Sequence, residues 1–331
     1  MRAFVFRLIL VALLLAAWLY ADNKYLPDHV GKDAVVTVET AANPRYGLKP
    51  ADAQAFRANL TKFRDLLLAQ PRFHPMPGME VRGYLRSDDN APVIKTAPVP
   101  AFGYIIYYPY LLSSKTNRPF PIDASAWRIE VYINQPGRGL DVMGTSGPPI
   151  QLKIFHEPKP AGELFGFPVY RNLDKTEFIV LSSAGKPSWI PVTREEYVQQ
   201  LLRAIEKDKD SYAGTGFAEK QIKACQEALA RMTPQERSAQ ARYEGSEDIF
   251  APPLAPFGTN RGDPMVKINP DWFDPARPRS DFQLILTRFN ACGDFDPDHP
   301  EINEYGNAVG LRLWETLHTS DWKAISAALP H

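Results

Sequence analysis

The feature that most restricts this chain is a two-residue hydrophobic alternation that recurs between residues 79 and 134. In AWRIEVYIN, Trp127, Ile129, Val131 and Ile133 alternate with Arg128, Glu130 and Asn134; in MEVRGYLR, Met79, Val81 and Leu85 alternate with Glu80, Arg82 and Arg86. Successive strand side chains point to opposite faces, so each segment predicts a strand with one apolar and one wet face, as antiparallel pairing favours. FGYIIYYPYLL is different, because Phe102, Tyr104, Ile106, Tyr108 and Tyr110 share one face while Ile105 and Tyr107 occupy the other. A strand apolar on both sides is expected to be central and covered by a helix. Tyr104, Tyr107, Tyr108 and Tyr110, with Trp272 further along, also form a candidate surface for sugars or aromatic ligands, since tyrosine joins a flat apolar ring to a polar tip. The plainer reading of the strip is a core strand.

Helical periodicity surrounds these strands. Ala55, Phe56, Leu60, Phe63, Leu66 and Leu67 recur at helical spacing between Pro50 and Pro71, which predicts an amphipathic helix. LKIFHEP, FPVYRN, EFIVLSS and SWIPV are four short strand candidates. A helical lobe follows at about 192–243, where Thr193 with Glu196 and Thr233 with Glu236 have capping-box spacing. Residues 244–280 read as a long surface loop, held down by Phe250, Phe257, Trp272 and Phe273; its Arg261-Gly262-Asp263 triplet is read as turn chemistry. DFQLILTRF returns to strand. Two helices close the chain, with Ile302, Tyr305, Val309 and Leu313, then Trp322, Ile325 and Leu329, as their buried stripes. Helices and antiparallel-type strands without a regular βαβ rhythm predict an α+β fold, a mainly antiparallel sheet with packed helices and long Pro-rich loops. The 31 prolines are roughly twice ordinary usage and are scattered.

Arg2 and Arg7 precede thirteen uncharged apolar residues from Leu8 to Tyr20. Such a run is short for a spanning helix of about 20 residues and has the layout of a signal peptide, so residues 1–21 are expected to be a signal peptide or, alternatively, a short uncleaved anchor in an inner membrane. Residues 22–331 are then expected to form one α+β domain in a periplasmic or extracellular setting. Removing residues 1–21 removes two arginines and no acid, which leaves 36 basic against 38 acidic residues. That balance gives no electrostatic reason for nucleic acid as a partner, nor for a membrane beyond residues 1–21. In an exported chain, Cys225 and Cys292 are expected to pair as a disulfide; the alternative is two buried thiols, since Cys225 shares a helical stripe with Ile222, Leu229 and Met232.

Assembled catalytic motifs are missing from the sequence. GTSGPP around Ser146 lacks the second glycine of a nucleophile elbow and runs into prolines. His156-Glu157 is followed by Pro158 and Lys159, with no second histidine at zincin spacing. The densest acidic stretch is CGDFDPDHPE, where Asp294, Asp296 and Asp298, with Glu301, are the candidate ligands of a calcium ion. Positions 6 and 12 of such a loop, His299 and Tyr305, break the calcium-loop pattern, and Asp298 and Glu301 equally suit a helix N-terminus. No cofactor is expected apart from that ion. The function expected is binding of a protein or small ligand in the cell envelope without catalysis. The alternative is an exported hydrolase acting on polysaccharide, peptide or ester through carboxylates that meet only in the fold.

Overall fold

A computed structural model describes residues 32–40, 49–70, 72–73, 76–87, 100–113, 116, 118–119, 128–141, 152–182, 186–212, 214–290 and 305–329. The fold is α+β. In chain order the strands are β1 (Lys32–Thr40), β2 (Met79–Ser87), β3 (Gly103–Leu111), β4 (Arg128–Ile133), β5 (Phe155–His156), β6 (Lys159–Leu164), β7 (Phe167–Arg171), β8 (Glu177–Ser182), β9 (Trp189–Pro191), β10 (Arg242–Tyr243), β11 (Asp263–Ile268) and β12 (Leu284–Asn290). The helices are α1 (Pro50–Leu68), α2 (Arg194–Asp208), α3 (Phe217–Arg231), α4 (Pro234–Ser238), α5 (Tyr305–Thr319) and α6 (Trp322–Ala327).

Eight strands form one sheet in the order β1-β2-β3-β4-β12-β8-β7-β6, antiparallel throughout except for the parallel edge pair β1 and β2. Two meanders, β2-β3-β4 and β6-β7-β8, are joined side by side by β12. Asn134 fixes that junction. It takes a left-handed conformation (φ 56°) at the end of β4, donates from Nδ2 to the carbonyls of Ala101 and Asp281 at 2.7 and 2.9 Å, and accepts at Oδ1 from the backbone of Gln283 and Leu284 at 3.0 and 3.1 Å. One buried amide thus satisfies all four of its hydrogen bonds and aligns the entries to β3 and β12.

Residues of one parity face the helices. Met79, Val81, Leu85, Ile105, Tyr107, Ile129, Val131, Ile133, Ile179 and Ile285 build a core with Phe56, Leu60, Phe63 and Leu67 of α1, Leu313 and Leu317 of α5, and Trp322 and Ile325 of α6. Among the described residues the pairing of β3 with β4 runs to Tyr107 and Ile129, short of Pro109, which has no N–H to give. The other face is covered over β12 and β8 by a second core, in which Phe178, Val180, Leu284 and Leu286 meet Val266, Ile268, Trp272 and Phe273. At the far edge, β6 carries Pro160 and a register shift before Gly162, features that discourage further strand pairing.

Several expectations change. The polar side of β4 is not wet: Glu130 is only 2% exposed, and its carboxylate is satisfied by Arg128 and Tyr132 of its own strand and by Arg288 of β12. Residues 244–280 are not loop throughout, since β11 runs through them as the centre of a small sheet with β5, β9 and β10. Its alternation, Met265 and Lys267 against Val266 and Ile268, is too short to stand out among Pro, Gly and Asp. β6 was not foreseen because its side chains are almost all exposed and so show no hydrophobic period. Thr193 and Thr233 do cap α2 and α4 by accepting from the Glu196 and Glu236 amides. The glutamates do not close the boxes, however, for they are drawn to Lys267 and Arg194. In the Arg-Gly-Asp triplet, Gly262 (φ 71°) passes so close to Tyr243 that a Cβ would lie 2.3 Å from its carbonyl oxygen, and Arg242 holds the carbonyls of residues 260, 261 and 262. The triplet is a packed turn.

Candidate functional site: a tyrosine and arginine face

The even-numbered residues of β2, β3 and β4 share the sheet face opposite the helices. Strand register sets Glu80 beside Tyr110, Arg82 beside Tyr108, Tyr84 beside Ile106 and Arg86 beside Tyr104. The next rank places Tyr132 beside Tyr104 and Glu130 beside Ile106, with Arg288 of β12 level with Glu130. Charged side chains of β2 therefore stand opposite rings of β3 at three of these four positions. Tyr84 and Tyr108 meet edge to face with centroids 5.9 Å apart, and the Arg82 guanidinium lies 5.0 Å from the centre of the Tyr110 ring, within cation–π range. Arg86 donates to the Tyr104 hydroxyl at 3.3 Å. The hydroxyls of Tyr84, Tyr108 and Tyr110 make no hydrogen bond to another described residue.

Two carboxylates organise the cations. Glu80 accepts from Arg82 at 2.8 Å and faces Lys32 at 3.5 Å. Glu130 takes Arg128 and the Tyr132 hydroxyl on one oxygen, each at 2.8 Å, and Arg288 on the other. Burial pushes the Glu130 pKa up, but Arg288, Arg128 and the hydrogen bonds together outweigh it and hold the group below its ordinary value. Burial raises the phenol of Tyr108 and, with Glu130, that of Tyr132. The face has a gradient of exposure: Glu130 and Tyr132 are buried under the second core, Tyr104 packs at its margin, and outward of it the Arg82 side chain and Tyr84 are 53% and 43% exposed.

The structure brings Tyr104, Tyr108 and Tyr110 together and sends the remaining ligand-surface candidates elsewhere. Tyr107 points to the helix side, packed edge to face on Phe73 with centroids 4.8 Å apart, its ring covering the Gly83 position. Trp272 is buried against Phe273 in the second core. Arg82, Arg86 and Glu130 carry the correct parity in sequence but were read only as the polar side of strands; the signal that joins them to the tyrosines is the shared even numbering across three adjacent strands. Arg288 has no such local signal.

Cys225 is buried in the helical lobe among Tyr197, Leu201, Ile205 and Ala218, and burial pushes its thiol up to about 12. Its expected partner Cys292, the acidic candidates Asp294, Asp296, Asp298 and Glu301, and residues 1–21 lie outside the described residues. Among the described residues no group of three or more His, Cys, Asp or Glu side chains is placed to hold a metal ion, and no helix is long and apolar enough to cross a membrane. Two further titratable groups stand out. Asp141 has its pKa raised by burial and by Asp174, while the Leu173 amide donates to its carboxylate at 3.0 Å. On the helix side, Glu177 pairs with Arg171 at 2.5 Å and faces His318 Nε2 at 3.5 Å; burial lowers the His318 pKa.

No protein-family model, curated protein or solved structure matches the chain.

Proposed function

We propose that this is an exported binding protein of the cell envelope whose ligand lies on the tyrosine and arginine face of β2 and β3. The observation that supports the reading is the part-exposed row of Tyr84, Tyr108 and Tyr110 interleaved with Arg82. Exposed rings and guanidiniums are the groups that dominate recognition surfaces elsewhere, and a sheet holds them in rigid register. Export rests on the Arg2 and Arg7 pair ahead of the apolar run. The test is co-sedimentation of the purified protein with envelope fractions, comparing the wild type with the Tyr84→Ala/Tyr108→Ala double variant. Loss of binding in the double variant, at an unchanged melting temperature, is the expected result. Equal sedimentation of the two proteins, or none by the wild type, would overturn the reading.

One observation favours a second reading as an exported hydrolase. Asp141, whose carboxyl is held above its ordinary value by burial and by Asp174, is shifted in the direction a general acid requires. Hydrolysis of polysaccharide, peptide or ester substrates that disappears in the Asp141→Asn variant would favour it over binding alone.

A further inference from the structure

We infer that the ligand of this face is a proline-rich segment of a partner protein, bound in the extended polyproline II conformation; the inference rests on the binding reading above and names its ligand. The chemistry lies in four neighbouring side chains of β2 and β3: Tyr84, Arg82, Tyr108 and Tyr110. The exposed Arg82 guanidinium turns Nε and one terminal nitrogen to Glu80 at 2.9 and 2.8 Å. Its other terminal nitrogen bonds to no described residue, and neither do the three phenol hydroxyls. A guanidinium only donates, whereas a phenol both donates and accepts, so a ligand here must bring acceptors and need bring no donor. A proline chain meets that requirement. Each residue keeps its carbonyl and has no N–H, and polyproline II leaves those carbonyls free of internal hydrogen bonds. A sugar hydroxyl or an ordinary peptide unit brings a donor with its acceptor, and each donor that is buried then needs a partner of its own.

The relief of the face fits the same ligand. The Tyr84 and Tyr108 rings stand at 81° to one another with centroids 5.9 Å apart, so they form a notch and not the flat platform on which a sugar ring stacks. A pyrrolidine ring is small and apolar, and aromatic-lined grooves are the recurring receptors of polyproline II chains. Strand register puts Tyr84 level with Ile106, four residues before Tyr110 on β3. At about 3.4 Å per residue the aromatic row is therefore about 14 Å long, which matches roughly four to five residues of polyproline II at about 3.1 Å each. Ligand and sheet are both stiff before they meet, which keeps the ordering cost of binding low.

Calorimetric titration of the purified protein with acetylated and amidated decaproline, with a glycine–serine decapeptide and with cellohexaose tests the assignment. Decaproline is expected to bind with an affinity that changes little with added salt, because the peptide carries no charge. That affinity should fall roughly tenfold in Tyr108→Ala and in Tyr84→Ala through loss of ring contact. Arg82→Met, which keeps the apolar stem and removes the donors, should also weaken it. All three positions are outside the helix-packed core, and an unchanged melting temperature confirms that each variant is folded. No binding of decaproline, equal binding of the glycine–serine peptide, or binding indifferent to both tyrosine variants would overturn the assignment. Binding of cellohexaose instead, lost in the tyrosine variants, would overturn it in favour of a neutral glycan. Where decaproline fails, sedimentation with envelope fractions that still depends on Tyr84 and Tyr108 would leave the binding reading standing, whereas loss of both would remove the two together.

Discussion

Tyr107 and Tyr108 are neighbours in the chain and belong to opposite regions of the molecule. Tyr107 enters the helix-packed core, 1% exposed, with a hydroxyl that finds no partner. Tyr108 stands on the outer face, level with Arg82 and in edge contact with Tyr84. One peptide unit separates a residue that holds the fold from one that meets the solvent. The strand pleat alone assigns the roles, and the two faces should answer mutation differently: the inner one in stability, the outer one in ligand affinity.

The largest expected effect breaks the inner face. Tyr107→Ala removes a buried ring from Phe73 and Gly83 and should cost about 3–5 kcal/mol in denaturant unfolding. Tyr107→Phe removes only an unpartnered hydroxyl, so its stability should equal the wild type or exceed it by up to about 1 kcal/mol. A large loss in the Phe variant would mean that the hydroxyl is satisfied. Glu130 lies where the outer face becomes core. Glu130→Ala leaves Arg128 and Arg288 without their carboxylate and should cost about 3 kcal/mol or more. Because its folded pKa is lowered, the native state favours the ionised form. That stability is fully present above the ordinary carboxylate value of 4.5 and is lost as pH falls toward the folded pKa. The variant should therefore lose less stability than the wild type as pH falls below 4.5.

His318 provides a smaller test within the inner face. Burial lowers its pKa, although Glu177 of β8 opposes that and Arg171 of β7 reinforces it. The unfolded imidazole takes a proton near 6.5 while the folded one resists, so stability is full above that pH and declines as pH falls from 6.5 toward the folded value. His318→Gln should flatten this region of a thermal-melt profile while leaving the step below pH 4.5 to Glu130. The smallest stability effect is expected for Tyr108→Ala, within about 1 kcal/mol. If it unfolds the protein as Tyr107→Ala does, the division between the faces is wrong.

Much of the fold is legible in short range. The α1 stripe of Phe56, Leu60, Phe63 and Leu67, the Thr193 and Thr233 caps, and the docking of α6 by Trp322, Ile325 and Leu329 each depend on residues within a few turns of one another. β6 and β11 were hidden for opposite reasons: one lies so exposed that it needs no apolar period, and the other is only a few residues long among turn-forming neighbours. The candidate site was half visible. The tyrosine strip announces itself, but Glu130 reads as a solvent-facing acid until Arg288, far along the chain, is laid beside it.

By itself the sequence determined parity: which residues of β2, β3 and β4 must turn together, and therefore which of the tyrosines could share a surface. Parity follows from the geometry of a single strand and needs no partner. Only the tertiary structure decided which side is wet, because that depends on where β12, Trp272 and Phe273 come to rest, and those placements are set by contacts between residues distant in the chain. Burial of Glu130 and exposure of Tyr84, on the same face, are the outcome of that choice.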